Sequence, residues 1–389
     1  MTNPAAIIVA ARRSALGRIG GLHRNRRVEE LARPVLSAAL ADAGCEPDMV
    51  DGLILGNGTA GRNAARAVAL AAGVPEASFA LTLDSQCASG LDAILDAVRR
   101  IAAGEADVVV AGGAESLSTA PWRLARPKNA HQLPHFIGFH PLGLEGSEGS
   151  QAFEADEFLA RKLAITRAAQ DAFVVQTHLA AELARERRQF IGEIVGQRAT
   201  PEEMRDQVAT GADPGELAEL QPFQLDDGTL TAGNTSPLAD GAAFLVVVSP
   251  KIWAKIGRPK GLVLQRSLVC GVAGTAHAAA ARIALETLLQ RGTDKAARDV
   301  GTLAAIETSE ASAVEAIALT KSLKLADGIL NAGGGALVRG LPLGAASAVA
   351  VTRLYTRLVR DTTSRGKSGA VVQRAAGGLG IAAVFEATA

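Results

Sequence analysis

Among 389 residues there is one tyrosine, there are two tryptophans, and cysteine and methionine occur three times each. So few Trp and Tyr argue against the aromatic platforms on which single-stranded nucleic acids stack. Net charge is missing too: 40 Lys and Arg balance 40 Asp and Glu. Nothing therefore draws the chain in bulk to nucleic acid or to an anionic membrane, and a neutral surface favours self-association. Cys45, Cys87 and Cys270 are few, odd in number and without metal-ligand spacing. That excludes a disulfide framework, gives no metal site, and points to a reducing compartment. No apolar run reaches the ~18 residues of a membrane span. The N-terminal segment meets Arg12 and Arg13 without a signal-peptide apolar stretch. The expectation is a cytoplasmic protein.

What is present is core-forming material: 48% of the residues are apolar, in a chain long enough for two or three domains. Short β-branched runs alternate with helical patterns, which predicts a largely parallel sheet covered by helices. Strands are expected over residues 5–10, 52–55, 106–110 and 242–248, and helices over 28–43 and 63–72. Residues 121–153 have no period and hold Pro121, Pro127, Pro134, Pro141 and three of the six histidines. They read as a long excursion. Helical patterning returns over 156–183 and 214–220, and residues 260–389 alternate strand and helix again. The run 106–110 entering Gly112-Gly113 resembles 370–372 leading to Gly377-Gly378, which suggests two related halves around a loop-rich insert.

One residue stands out chemically. A β-rich run meets a helix at Cys87, and Leu91, Ile94, Leu95, Val98 and Ile101 mark one apolar face of that helix. A thiol at the positive end of a helix dipole is expected to have a lowered pKa and to stabilise an adjacent oxyanion. Cys87 is a candidate nucleophile; the alternative is an inert packing cysteine.

Five ordered blocks then coincide. Gln86-Cys87-Ala88-Ser89-Gly90-Leu91, the run from Gly104 to Ser118 containing Gly112-Gly113-Ala114-Glu115, Gln170-Asp171-Ala172-Phe173, Thr231-Ala232-Gly233-Asn234-Thr235-Ser236, and Asp240-Gly241-Ala242-Ala243 resemble the thiolase family over nearly the whole chain. The resemblance implies an α/β thiolase fold: two βαβαβαββ halves stacked as five α-β-α-β-α layers, with an inserted loop domain. It divides the chain into an N-terminal half (1–117 plus 240–262), the insert (118–239) and a C-terminal half (263–389). It implies a homodimer or homotetramer, no tightly bound cofactor, and a coenzyme A thioester as substrate. Cys87 becomes the acyl-accepting nucleophile, the backbone N–H groups of Cys87 and Ala376 the oxyanion donors, and Ser236 the serine beside the pantetheine arm.

Three other family positions depart from the pattern. The Gly-His-Pro histidine is Leu341 in Gly340-Leu341-Pro342. The asparagine of Asn-Glu-Ala-Phe is Ser309 in Ser309-Glu310-Ala311-Ser312, a shorter side chain that remains a substrate-binding candidate through water. The second cysteine, which moves the substrate Cα proton, is Arg374. Leucine carries no proton and arginine is no base at neutral pH. Acyl loading survives these changes better than carbanion formation, because backbone donors do not depend on side chains.

His277 is the candidate surrogate base. His140, in Gly138-Phe139-His140, is a comparable one in the long excursion that also holds His131 and His135, while His23 and His178 read as solvated. Residues 206–250 contain no Lys or Arg but hold Asp206, Asp213, Glu216, Glu219, Asp226, Asp227 and Asp240. That stretch repels a nucleotide unless it is a solvated face, so a carrier-protein thioester stays open as an alternative to acyl-CoA; Arg24, Arg26 and Arg27 are the available basic residues. Three readings follow: an acyltransferase impaired in Claisen chemistry, an ordinary β-ketothiolase with a surrogate base, or a non-catalytic subunit working with a protein partner. A hydrolase triad and a dinucleotide-binding glycine motif find no matching residues.

Overall fold

The computed structural model describes residues 6–129, 131–136, 150–196, 200–207, 212–223, 227–293, 295–361 and 368–388. Nine strands form one continuous path, in the order Ala305–Glu307, Ser368–Ala375, Leu379–Ala387, Leu262–Gly271, Ile7–Ser14, Ala239–Val248, Val108–Glu115, Gly52–Gly56 and Phe79–Leu83. Among the described residues the two arms of the path are joined where Ile8 pairs with Leu262.

Alternation along the strands builds the layers. In the first arm Val109, Ala111, Ala243, Leu245 and Val247 face inward, and in the second Val371, Ile381, Ala383 and Phe385 do the same; all join one core with the helices Ser89–Ala102 and Ala346–Tyr355. Those two helices pack on each other and form the central layer. Every residue of Ala346–Tyr355 is buried, as an apolar helix between two sheets requires. On the outer face of the first arm, Ile7, Val9, Leu53, Val108 and Val246 pack under the helices Val28–Ala43 and Ala64–Ala71. Outside the second, Ile306, Ala370, Val372 and Ala382 pack under Ala280–Gln290, beside Leu319 of the helix Ala313–Leu323. The five α-β-α-β-α layers expected from the resemblance are present.

The sheet itself differs from the expectation. On the main path parallel pairing is confined to Gly52–Gly56 with its two neighbours and to Ala305–Glu307 with Ser368–Ala375; off it, Ile194–Val195 pairs parallel with Ile7–Ser14. The remaining main-path pairs are antiparallel, because Ala239–Val248 returns through the insert and Leu379–Ala387 returns through a tight turn. The suggested likeness of the two Gly-Gly pairs also fails. Gly377 and Gly378 make that turn, both at φ +81°, whereas Gly112 and Gly113 lie inside a buried strand. A β-carbon at Gly113 would stand 2.2 Å from the carbonyl oxygen of Gly344, so the strand needs glycine there to admit the turn Leu343–Ala345 from the other half. The helical pattern over 156–183 is two helices, Ser150–Lys162 and Arg167–Glu186, broken where Ala164 takes φ +50° and Thr166 caps the amide of Ala169. Of the excursion, the described part holds a short hairpin, Leu124–Ala125 with His135–Phe136.

A charged cluster is buried where Glu193 and Asp206 meet the central helix Ala346–Tyr355. Arg13 bonds Glu193 at 2.6 Å and Asp206 at 2.6 and 3.0 Å, and Arg353 bonds the other oxygen of Glu193. Although burial opposes ionisation, the Arg353 and Arg13 guanidiniums bring Glu193 from the ordinary 4.5 down to about 2. A depressed carboxyl pKa stabilises the fold above pH 4.5, and that contribution disappears as pH falls through 2. The shift corresponds to about 3 kcal/mol. Between pH 6 and pH 3 urea unfolding should show about 2 kcal/mol of this loss, the remainder going as pH falls through 2, and the Glu193→Gln variant should not show that part of it.

Candidate active site

The strand Phe79–Leu83 ends in a sharp turn that presents Cys87 on a single 3₁₀ turn, Gln86–Ala88, before the helix starts at Ser89. Gln86 adopts φ +56°, a conformation that costs a non-glycine residue about 1–3 kcal/mol. Its neighbours hold it there. Asp84 accepts from the Gln86 amide at 3.1 Å and from its side chain at 2.9 Å, while Ser89 Oγ accepts from Ser85 N–H at 2.9 Å and donates to Gln86 O at 2.6 Å. The sequence supplies each anchor within five residues.

Cys87 is half-buried and packs against Leu117, Ala336, Leu341, Leu343 and Ala346, with Leu238 alongside. Leu341 is fixed through its backbone: its N–H donates to Pro237 O at 2.8 Å and its carbonyl accepts from Ala239 N–H at 3.2 Å. The position expected to carry the family's histidine thus meets the thiol with a hydrocarbon wall. Ser309 reaches the same cluster and spends its hydroxyl proton on Ala346 O at 2.8 Å. Its neighbour Glu310 supplies the carbonyl to which Ser236 Oγ donates at 2.6 Å, and Ala311 accepts from the Ser236 amide at 2.9 Å. Ser236 and Ser309 are brought together by one backbone segment.

Arg374 is the last residue but one of the strand Ser368–Ala375, which packs against the Cys87 turn. It is buried and saturated with acids: Nη1 and Nη2 bond Asp156 at 2.8 and 2.9 Å, and Nε lies 3.2 Å from Glu315. Glu315 accepts the Ala311 amide at 2.9 Å through the same oxygen, and its Oε1 is buried without a hydrogen-bond partner. Burial raises the pKa of Glu315, opposed by Arg374. Ala376 follows in the hairpin turn, and the His277 ring lies against it: a β-carbon at Gly378 would come 2.6 Å from His277 Nε2.

The electrostatics overturn one expectation. The Cys87 pKa is not lowered; burial pushes it up to about 12, Arg374 and the Cys87 backbone N–H work against that, and Glu315 and Glu115 add to the rise. Desolvation sets the direction because the thiol packs among Leu117, Leu341 and Leu343. Loss of the proton creates the charge, so the thiolate is a small minority at pH 7 and its fraction grows with pH. Alkylation of Cys87 by iodoacetamide should accelerate about tenfold per pH unit between pH 7 and 9, with no plateau. Peptide mapping at timed intervals measures this.

Several other sequence readings change. His23 is buried, with Nε2 2.8 Å from Ala15 O and Nδ1 2.8 Å from Arg26 Nη1, and burial lowers its pKa. His178 is half-buried and borders two cavities. His131 and His135 are exposed, and His140 lies outside the described residues. The acidic stretch is no uniform solvated face: Asp206 is consumed by Arg13, and Asp240 is buried, accepting from the Ser118 amide at 3.0 Å. Asp213 and Glu216 do line a cavity of about 320 Å³ beside Ala232, Gly233 and Thr235. Arg24 and Arg26 border a different, wider cleft with Glu29, Glu30 and Glu203. Sequence reasoning missed Asp156 and Glu315, since no local signal marks Asp156 as a partner 218 residues from Arg374.

A thiol on a strained strand-to-helix turn, within a five-layered α/β fold, has the placement of a nucleophilic cysteine. Models of the thiolase N-terminal domain and the thiolase C-terminal domain match residues 6–251 and 266–387, and the chain belongs to the thiolase family of acyltransferases. An acetyl-CoA acetyltransferase of Rhizobium meliloti is 32% identical over 404 aligned positions, covering 99% of this chain and 100% of the relative. Human mitochondrial 3-ketoacyl-CoA thiolase, solved in complex with CoA, superposes with a TM-score of 0.88 at 28% identity, covering 99% and 98% of the two chains. The acetyl-CoA acetyltransferase of Bacillus anthracis gives 0.85 at 30% identity and covers both chains fully. Among the described residues no helix is long and apolar enough to cross a membrane.

Proposed function

We propose that this chain transfers acyl groups from a coenzyme A thioester through an acyl-Cys87 intermediate, with Claisen condensation and thiolysis strongly impaired. The observation that carries the reading is the contrast within one pocket. The turn that presents Cys87 is fully braced, whereas the positions for proton transfer hold Leu341 and an Arg374 locked between Asp156 and Glu315.

In the loading step the Cys87 sulfur attacks the thioester carbonyl, and the oxyanion is held by the backbone N–H groups of Cys87 and Ala376. The bond from carbonyl carbon to coenzyme A sulfur then breaks, and the proton lost by Cys87 ends on the departing thiol. Glu315, with one oxygen unpartnered and its pKa raised, is the proton acceptor we favour for this relay. His277 on the hairpin turn is the second choice. Transfer to a non-carbanion nucleophile, or to water, releases the enzyme. Coenzyme A is favoured over a carrier protein because a solved neighbour of nearly equal length holds it.

The reading places the nucleophile in an N-terminal half (1–117 plus 240–262), Ser236 in the insert (118–239) and the remaining pocket groups in the C-terminal half (263–389). It also includes a homodimer or homotetramer, and a cytoplasmic setting in which all three cysteines stay free. The non-catalytic alternative draws on the raised thiol pKa. Intact-protein mass measurement after incubation with short and medium acyl-CoAs decides between them. An acyl-sized increase is expected on the native chain and none on Cys87→Ala; no increase at pH 9 from any acyl-CoA would overturn the reading.

A further inference from the structure

A second cavity, of about 340 Å³, lies between the helix Arg167–Glu186, the segment that follows it and the short helix Ala336–Arg339. Its size falls within the ~300–1,000 Å³ of small-molecule sites. Ala181, Phe190, Ile191, Ile194, Met204 and Val338 give it an apolar lining. Ile191 and Met204 stand 62% and 48% exposed, large apolar side chains kept at an open rim. Arg185, Arg188 and Arg205 border the same cavity, against Glu182 as the one exposed acid.

Its inner wall is a buried guanidinium. Arg339 is only 4% exposed; it donates to Gly333 O, but its Nε makes no hydrogen bond and lies 3.7 Å from Asp206. Behind it the buried cluster holds three guanidiniums, Arg13, Arg339 and Arg353, against two carboxylates, Glu193 and Asp206. Phe190 places its ring within 4.6–5.9 Å of all three guanidinium carbons. These five groups carry one positive charge in excess. Burial pulls Arg339 down from 12.5 to about 10, with Arg353 and Arg13 adding repulsion, as expected of a cation short of counter-charge.

We propose that this cavity binds a monocarboxylic acid with a medium hydrocarbon chain, its carboxylate turned to Arg339 and the arginine rim and its chain against Phe190, Ile194 and Val338. A carboxylate answers the excess positive charge of the buried cluster and of the arginine rim, and an apolar lining selects a hydrocarbon tail over inorganic phosphate. Arg339 lies in the four-residue helix whose first residue, Ala336, packs in the cluster around Cys87. The proposed site is therefore separate from the thiol pocket but adjoins its wall.

Isothermal titration of the full chain with sodium octanoate tests it, with 1-octanol as the uncharged probe. One octanoate per chain is expected. Binding should weaken at least tenfold in the rim variant Arg188→Glu/Arg205→Glu, whose side chains are exposed, and should be unchanged in Cys87→Ala; octanol should bind at least tenfold more weakly. Absence of saturable binding at millimolar octanoate, equal binding of octanol, survival of binding in the rim variant, or its loss in Cys87→Ala would each overturn the assignment. The last of these would move the ligand into the thiol pocket and leave the acyl-transfer reading standing.

Discussion

Cleavage of acetoacetyl-CoA by the purified protein is expected to run at least about 10⁴-fold below that of a thiolase with its full complement of pocket groups. Each lost general acid–base or oxyanion contribution is worth about 10²-fold or more, and two positions are affected independently. Leu341 offers the thiol and the thioester oxygen only hydrocarbon. Arg374 has its guanidinium engaged by two carboxylates and has no basic lone pair. Ser309, whose proton goes to Ala346 O, holds a water less well than a free amide side chain. Coenzyme A release followed with a thiol reagent measures the rate, and turnover at an ordinary thiolase level would sink the proposal of impaired condensation.

The second large effect concerns Arg374 itself. Substituting Met for Arg374 leaves Asp156 and Glu315 buried without their cation, and removing one member of such a buried set costs roughly 3–5 kcal/mol. The loss should appear in thermal unfolding as a clear drop in midpoint. The triple substitution with Asp156→Asn and Glu315→Gln should recover much of it, because it removes the uncompensated charges as well. The same logic governs any attempt to restore a thiol base. Arg374→Cys alone destabilises, so reversion needs the acids neutralised first, and Leu341→His alone places a histidine in an apolar cluster with no partner to orient it.

How much of this was legible in the sequence follows from the range of the interactions. The Cys87 turn was readable because its strand, its anchors and its helix lie within about twenty residues and each leaves a local pattern. The antiparallel return strands were not, since pairing of Ala239–Val248 with Val108–Glu115 depends on a chain excursion whose path has no period. Gly112 and Gly113 were wrongly set beside Gly377 and Gly378 because glycine signals either a turn or a close approach. Here the approaching groups, Ala243 and Gly344, come from more than 130 residues further along the chain. The direction of the thiol pKa was missed for a related reason: a helix dipole is visible locally, but the hydrocarbon wall is assembled from Leu117, Leu341 and Leu343. His23, read as solvated, is buried because Ala15 and Arg26 fold over it. The departures at Leu341, Ser309 and Arg374 were legible as substitutions, but the acids that neutralise Arg374 were not.

The order in which the chain leaves the ribosome gives the central layer another significance. The helix Ser89–Ala102 is complete early in synthesis, yet the helix Ala346–Tyr355 that packs on it is made only after the insert and most of the second arm. At a synthesis rate of about 5–20 residues per second, its apolar face waits some tens of seconds for cover. During that interval the nascent N-terminal arm resembles a sandwich with one slice missing, and it is then, rather than in the finished protein, that this fold has most need of a chaperone.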